Sequence, residues 1–299
     1  MSEIKNLDKI MRVIRLPKIK PAKVSEEIEN FIVENITGAG KTGGVIGLSG
    51  GIDSTTVAYL AKRGFDRYNS SNPDADQLNL YGMILPSKAN HPEDTRNGIR
   101  VAEALGVEYS VVEISPLVES YRTAMPGRIE RDFDIGNLSS ETRAIALSRE
   151  AAYQNSLVLG TGNKDEDYGL GYFSKRGDGA IDINPIGNLS KRNVRTVASH
   201  IGVPEDIIGK IPTAGLCAGQ TDEKDLGFSY LESEIVIGGK DQGYNRDQLK
   251  KITGFGKVRC DEDKNIVDKV LDMHYGNQFK MKMPPVANIS VYWSGGELL

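Results

Sequence analysis

Apolar residues in the first two hundred positions follow two rhythms, short unbroken runs and stretches that recur at helical spacing. Ile28, Phe31, Ile32 and Ile36 recur that way behind Ser25, a plausible N-cap, so a helix is expected over 25–38. Val45, Ile46 and Leu48 form a compact run that reads as a buried strand. The same reasoning predicts helices over 55–63 and 94–105, strands over 80–85 and 107–114, a long helix over 137–153 and a strand over 156–161. Residues 69–76 are a turn-rich surface loop. The alternation of strand and helix predicts an α/β fold, a doubly wound parallel sheet flanked by helices.

Further helices are expected over 191–201, opened by Ser190, over 204–208 and around 265–273. The rest of the C-terminal third is less readable. Residues 1–22 carry Lys5, Lys9, Arg12, Arg15, Lys18 and Lys20 and end among Pro17 and Pro21, so a basic arm, extended or weakly ordered, is expected there. A single domain would then span 23–290, with a tail over 291–299.

The junction after the first strand carries the chemistry. In Gly47-Leu48-Ser49-Gly50-Gly51-Ile52-Asp53-Ser54 the glycines permit a tight turn whose N–H groups face one concavity at a helix N-terminus, which suits a phosphate. Ser49 and Ser54 add hydroxyls, and Asp53 places a carboxylate where Mg²⁺ would bridge to the phosphate. Gly40-Lys41-Thr42 resembles the end of a Walker A loop, but the spacing requires glycine where Asn35 stands. Gly47-Leu48-Ser49-Gly50-Gly51 also satisfies the G-x-S-x-G pattern of a hydrolase elbow, so a serine hydrolase with His200 or His274 is a formal competitor. It leaves Asp53 and Lys191 unexplained. A non-catalytic nucleotide-binding module is the remaining class.

Composition narrows the partners. With 299 residues and 39% hydrophobic content the chain can bury one large core, or a core and a smaller lobe. A net charge of −4 and a pI near 5.6 argue against nucleic acid as the main partner. Cys217 and Cys260 form no CxxC pair, so neither a disulfide framework nor a zinc site is expected, and a reduced cytoplasm fits. No apolar run has the length of a signal-peptide core or a membrane span.

Two later segments stand out. Residues 163–182 combine Lys164, Asp165, Glu166, Asp167, Lys175, Arg176, Asp178 and Asp182 with Tyr168, Tyr172 and Phe173, directly after a strand's carboxyl end. That mixture suits a ligand-gripping loop rather than a merely solvated one, since exposed aromatics in a loop usually stack on something. Residues 211–222 form a second irregular segment.

Ser-Gly-Gly-Ile-Asp-Ser at 49–54, Gly-Tyr-Phe-Ser-Lys-Arg-Gly-Asp-Gly at 171–179, Asn-Pro-Ile-Gly-Asn-Leu-Ser-Lys at 184–191 and Pro-Thr-Ala-Gly-Leu at 212–216 follow in order. Together they resemble the ammonia-dependent NAD synthetases of the ATP-pyrophosphatase superfamily, over roughly residues 25–290. The resemblance implies an amide ligase: a carboxylate of deamido-NAD attacks the α-phosphate of ATP, pyrophosphate leaves, and ammonia displaces AMP from the acyl-adenylate. It implies ATP contacts from the 47–54 loop, Thr161, Lys191 and Thr213, catalytic roles for Asp53 and Lys191, and magnesium on Asp53 and Glu166. It places Arg143, Phe173, Lys175, Asp182 and Lys280 on the dinucleotide, with Phe173 stacking on the pyridine ring. A homodimer with the dinucleotide near the subunit interface is implied as well.

The departures fall on the acceptor side. Glu141 stands where the family has an arginine two residues before a second arginine, and Phe279-Lys280 replaces a His-Lys pair. A one-residue longer acidic loop leaves Asp167 as the alternative to Glu166. Either a basic residue such as Arg176 compensates, or a related ATP-pyrophosphatase amidates a different carboxylate. Neither cysteine sits in a glutaminase context, so ammonia, free or delivered by a separate protein, is the expected donor.

Overall fold

The computed structural model describes residues 4, 6–211 and 221–287. Four strands, β1 (Gly43–Gly47), β2 (Asn79–Ile84), β3 (Glu108–Val111) and β4 (Leu157–Leu159), pair in parallel in the order β3-β2-β1-β4. The chain runs outward from β1 to β3 and then returns to β1's other side, so the order reverses between β1 and β4. Ligands of open α/β sheets bind at the carboxyl ends of strands at such a reversal.

Alternating side chains fill the layer on each face of the sheet. Ile46, Leu80, Ile84 and Leu159 point into one core, with Ile32, Val57, Phe65 and Val194 from the helices. Val45, Met83 and Val158 point the other way, against Val118, Leu138 and Ala151. The helices are α1 (Leu7–Val13), α2 (Pro21–Gly38), α3 (Ile52–Ser71), α4 (Pro92–Leu105), α5 (Ser115–Ala124), α6 (Asp132–Tyr153), α7 (Lys191–His200) and α8 (Glu205–Ile208). The doubly wound α/β sheet flanked by helices is therefore present. Gly64 lets α2 and α3 approach closely, since an added Cβ would lie 3.1 Å from the Glu29 carbonyl oxygen.

The less readable third forms a separate lobe from α9 (Asp222–Leu226), α10 (Tyr230–Asp241), α11 (Arg246–Thr253), a two-stranded ribbon and α12 (Ile266–Gly276). Its core of Phe228, Ile235, Val236, Leu249, Val267 and Val270 also takes in Ile10, Ile14 and Leu16 of the N-terminal arm. The arm is thus helical rather than extended over Leu7–Val13, and extended from Ile14 onward. Leu7, Ile10, Met11 and Ile14 repeat at helical spacing between the lysines and arginines, and burying that stripe in the lobe's core, beside α11, orders the segment. Gly239 makes room, because a Cβ there would lie 2.9 Å from Ile14 Cδ1. No helix among the described residues is long and apolar enough to cross a membrane.

Candidate active site

Leu48, 2% exposed, carries β1 into the glycine loop. Gly50 has φ of 73°, and a Cβ there would lie 2.3 Å from the Asp94 carbonyl oxygen, so both conformation and space demand glycine. Gly51 caps α3 with no side-chain hydrogen bond. The N–H groups of the first turn are therefore left to face the cavity that Gly51, Ile52, Asp53 and Ser54 line. The Ser49 and Ser54 hydroxyls lie 3.0 Å apart, and Gly51 N–H donates to Ser49 Oγ at 3.3 Å. Lys210 donates to the Gly50 carbonyl at 3.3 Å and pairs with Asp94, tying the loop to α4.

Three elements distant in sequence meet above this loop. Lys191, in the first turn of α7, places Nζ 2.5 Å from Asp53 Oδ2 and 2.8 Å from Glu166 Oε1. Glu166 lies on a π-helical turn (Asp165–Leu170) that follows β4. Asn163 ties that turn in place: its Oδ1 accepts the Asp165 and Glu166 N–H groups at 3.0 and 3.2 Å, and its Nδ2 donates to Asp53 at 3.4 Å. Asp165 accepts the Lys191 N–H at 2.8 Å, fixing where α7 begins. From the C-terminal lobe, the Tyr230 hydroxyl reaches Glu166 Oε1 at 3.0 Å and Asp222 Oδ2 at 2.8 Å.

Burial sets the charges here. Burial pushes the Asp53 carboxyl upward, and the Lys191 ammonium offsets only part of that. For Glu166 burial pulls the same way, but Lys191 and the Tyr230 hydroxyl prevail and hold it below the usual range. Burial would lower Lys191, yet Asp53 and Glu166 raise it above an ordinary lysine, so it stays an ammonium. Asp167 faces elsewhere, accepting from Asn184 at 3.0 Å and packed over Gly162; burial, then Glu166, push it up to about 8.

Two oxygens of different carboxylates converging within 2.8 Å of one ammonium form a hard-donor pair, the chemistry that suits Mg²⁺. Among the described residues no group of three or more His, Cys, Asp or Glu gathers as a cage, so phosphates and water would have to complete the coordination.

The cavity holds about 740 Å³, within the range of small-molecule sites. Gly47, Thr161, Arg143, Phe173, Lys175 and Lys280 line it together with the loop and the acids. Lys280 donates to the Gly171 and Phe173 carbonyls at 2.8 and 2.9 Å, and Lys175 donates to those of Phe279 and Lys282 at 2.9 and 3.0 Å. Both lysines thus bind the 171–175 loop to the segment after α12. The Arg143 guanidinium donates to the Leu85 carbonyl at 3.0 Å and Asn90 Oδ1 at 2.8 Å, bracing the end of β2. Asp182 stands apart from the cavity wall: its Oδ2 accepts the Val158 N–H at 2.7 Å, continuing the sheet edge beside β4. Thr213 lies outside the described residues.

Asn163, Asp222, Tyr230 and Lys210 were not singled out as site residues from the sequence. Asn163 alone had a local signal, an Asn two residues after a strand-ending Thr161-Gly162 and just before the acids.

A parallel sheet with a glycine loop at its switch point, two carboxylates and a buried lysine defines a nucleotide-phosphate-handling enzyme of the ATP-pyrophosphatase type. Residues 24–284 match the NAD synthase family, and the chain belongs to it. It is 36% identical to the NH(3)-dependent NAD(+) synthetase of Halobacterium salinarum over 277 residues, 91% of this chain and 95% of that protein. Against the enzyme so named in Thermococcus kodakarensis the identity is 43% over 212 residues, 71% of this chain and 78% of the other. Among solved structures, NMN synthetase from Francisella tularensis superposes with a TM-score of 0.75 at 29% identity, covering 91% of this chain and 100% of that one. The NH3-dependent NAD synthetase from Campylobacter jejuni, in complex with nitrate, gives 0.70 at 25% identity over 91% and 100%.

Proposed function

We propose that this chain is an ammonia-dependent NAD synthetase, an AMP-forming ligase that converts deamido-NAD, ATP and ammonia to NAD, AMP and pyrophosphate. The observation that carries the reading is the convergence of Asp53, Glu166 and Lys191 over a glycine loop whose helix N-terminus faces the same cavity. No protein nucleophile is required, because the acceptor's own carboxylate attacks the α-phosphate. The protein positions the two substrates and stabilises charge on the departing pyrophosphate.

In this reading the α3 N-terminus, Ser49 and Ser54 bind the phosphates, Thr161 and Thr213 contact ATP, and Lys191 gives its ammonium to the leaving group. Asp53 and Glu166 would hold Mg²⁺, which when bound neutralises phosphate charge. Glu166 is favoured over Asp167, because Glu166 shares the Lys191 ammonium with Asp53, whereas Asp167 accepts from Asn184. Phe173, Lys175, Lys280 and Arg143 would line the acceptor end. Asp182 would serve the acceptor only indirectly, through the edge it shares with Val158.

The enzyme would act as a homodimer in the cytoplasm. Leu117, Tyr121, Met125 and Ile145 on and beside α5 and α6 are all exposed, an apolar surface that a second copy would cover. A mononucleotide acceptor is the second reading, favoured by the TM-score of 0.75 to an NMN synthetase. Incubating the purified chain with ATP, Mg²⁺ and ammonium plus either deamido-NAD or nicotinate mononucleotide, with mass analysis of the amide formed, decides between them. NAD formed in preference supports the first; an amide of neither acid refutes both.

A further inference from the structure

One face of α6 runs from the cavity mouth to the glycine loop. Asn137, Ser140, Glu141, Ala144 and Leu147 all line the cavity, at the spacing of a single helical stripe. At its inner end Leu147 sits against Gly47, where an added Cβ would be 3.5 Å from Leu147 Cδ1. At a helical rise of about 1.5 Å per residue, Glu141 stands about 9 Å toward the mouth from that point. A nucleoside-sized portion of a ligand whose reacting end lies at the glycine loop falls beside it.

The charges on the cavity wall are otherwise spoken for. Lys191 engages Asp53 and Glu166, Lys210 engages Asp94, Asp167 takes Asn184, and Asp178 accepts from Ser140 Oγ at 2.9 Å. Tyr230 reaches Asp222. Glu141 alone among these acids has neither a hydrogen bond nor an ion pair from its side chain among the described residues. The nearby cations are committed as well, Arg143 to the Leu85 carbonyl and Asn90, and Lys280 to backbone carbonyls. A half-buried, unpartnered carboxylate facing a ligand cavity presents acceptors only. It suits a pair of hydroxyl donors and repels a phosphate, the discrimination by which a carboxylate reads a ribose diol and an arginine accommodates its phosphate ester.

We propose that Glu141 is a specificity-determining residue of the acceptor end, accepting hydrogen bonds from a ribose diol of the dinucleotide and rejecting an acceptor that bears a further phosphate on those hydroxyls. The proposal rests on the NAD synthetase reading and adds to it which dinucleotides enter. Glu141, in the place where the family resemblance expects an arginine, thereby becomes a selective element rather than a defect of the site.

The test compares deamido-NAD with its ester phosphorylated at the 2′-hydroxyl of the nicotinate-bearing ribose, as ligands by titration calorimetry and as substrates by kcat/KM, in the full-length wild type, Glu141→Gln and Glu141→Arg. Wild type is expected to favour deamido-NAD by at least about tenfold. The Gln variant should narrow that ratio several-fold. The Arg variant should reverse it or bring it near unity, mainly through KM and the dissociation constant, with kcat for deamido-NAD little changed. Matching melting temperatures guard against misfolding, and the Gln variant, nearly isosteric, keeps the test open if the Arg variant fails to fold. An unchanged ratio in both variants, or a wild type that takes both acceptors equally, overturns the proposal. If deamido-NAD binds but no NAD forms, the synthetase reading fails while the binding ratio still judges Glu141; if neither ligand binds the wild type, both fall.

Discussion

Lys191 Nζ lies 2.5 Å from Asp53 Oδ2, joining residues 138 positions apart at the mouth of the glycine loop. The ammonium is the shared counter-charge of Asp53 and Glu166, so its removal leaves two acids facing each other. Lys191→Met should lower ATP-dependent pyrophosphate release by about 100-fold or more, the scale for losing one electrostatic stabiliser of a transition state. It should also destabilise the fold, and added Mg²⁺ should raise its melting temperature more than that of wild type. Equal metal-induced shifts in the two proteins would show that the acids do not share the metal.

Tyr230 brings the C-terminal lobe to the same carboxylate, its hydroxyl 3.0 Å from Glu166 Oε1. Tyr230→Phe keeps the ring and removes that bond. The expected result is a fall of about 10- to 100-fold in activity or in apparent Mg²⁺ affinity, the range for partners that orient a metal ligand. The readout is the Mg²⁺ dependence of pyrophosphate release, since a purely structural hydroxyl would change stability and leave that curve in place.

Two glycines with positive φ should behave differently. At Gly50 an added Cβ meets the Asp94 carbonyl oxygen, whereas at Gly40, φ 63°, nothing lies within 4 Å. Gly40→Ala should cost about 1 kcal/mol from backbone conformation alone and keep activity. Gly50→Ala should abolish ATP binding measured by calorimetry and cost more stability, because the loop must leave its seat on α4.

Asp268 supplies a pH-dependent contact in the lobe. It pairs with Arg246 at 3.0 Å and Lys250 at 2.8 Å; burial works to raise its pKa, but the two cations outweigh it and the net direction is downward. A carboxylate depressed in the folded state stabilises above its unfolded value, 3.8, and loses that contribution as pH falls through the folded value. Asp268→Asn should therefore cost about 0.5–1 kcal/mol at pH 7, the scale of such pairs, and nothing near pH 2. Denaturant melts at the two pH values check the sign.

The apolar surface of α5 and α6 predicts the assembly. Leu117→Glu combined with Tyr121→Glu should convert a dimer into a monomer in sedimentation runs. A wild type that sediments as a monomer would remove the proposed interface.

How much of this was legible in the sequence follows from locality. The glycine loop was readable because one strand, one turn and one helix start supply all of its parts within residues 45–54. Glu166 and Phe173 stand out in sequence as part of a charged, aromatic loop, but their roles and that of Lys191 come only from the family resemblance, since the meeting of Glu166 and Lys191 with Asp53 depends on closure of the chain around β4. Tyr230 gave no local signal, because its hydroxyl acquires meaning only when α10 packs on the π-helical turn. The arm's helix is hidden for a different reason: its basic residues disguise the spacing of Ile10 and Ile14, and the core of the C-terminal lobe supplies the burial that orders them. Asp182 shows the converse, a residue the resemblance places on the dinucleotide but whose carboxylate is taken by a backbone N–H of β4.

The most direct test of the central claim follows the oxygen. With deamido-NAD labelled with ¹⁸O in its carboxylate, and ATP, Mg²⁺ and ammonium supplied, attack at the α-phosphate followed by ammonia predicts NAD and AMP carrying one ¹⁸O, with unlabelled pyrophosphate. Label in orthophosphate alongside ADP would place the attack at the γ-phosphate and contradict the account.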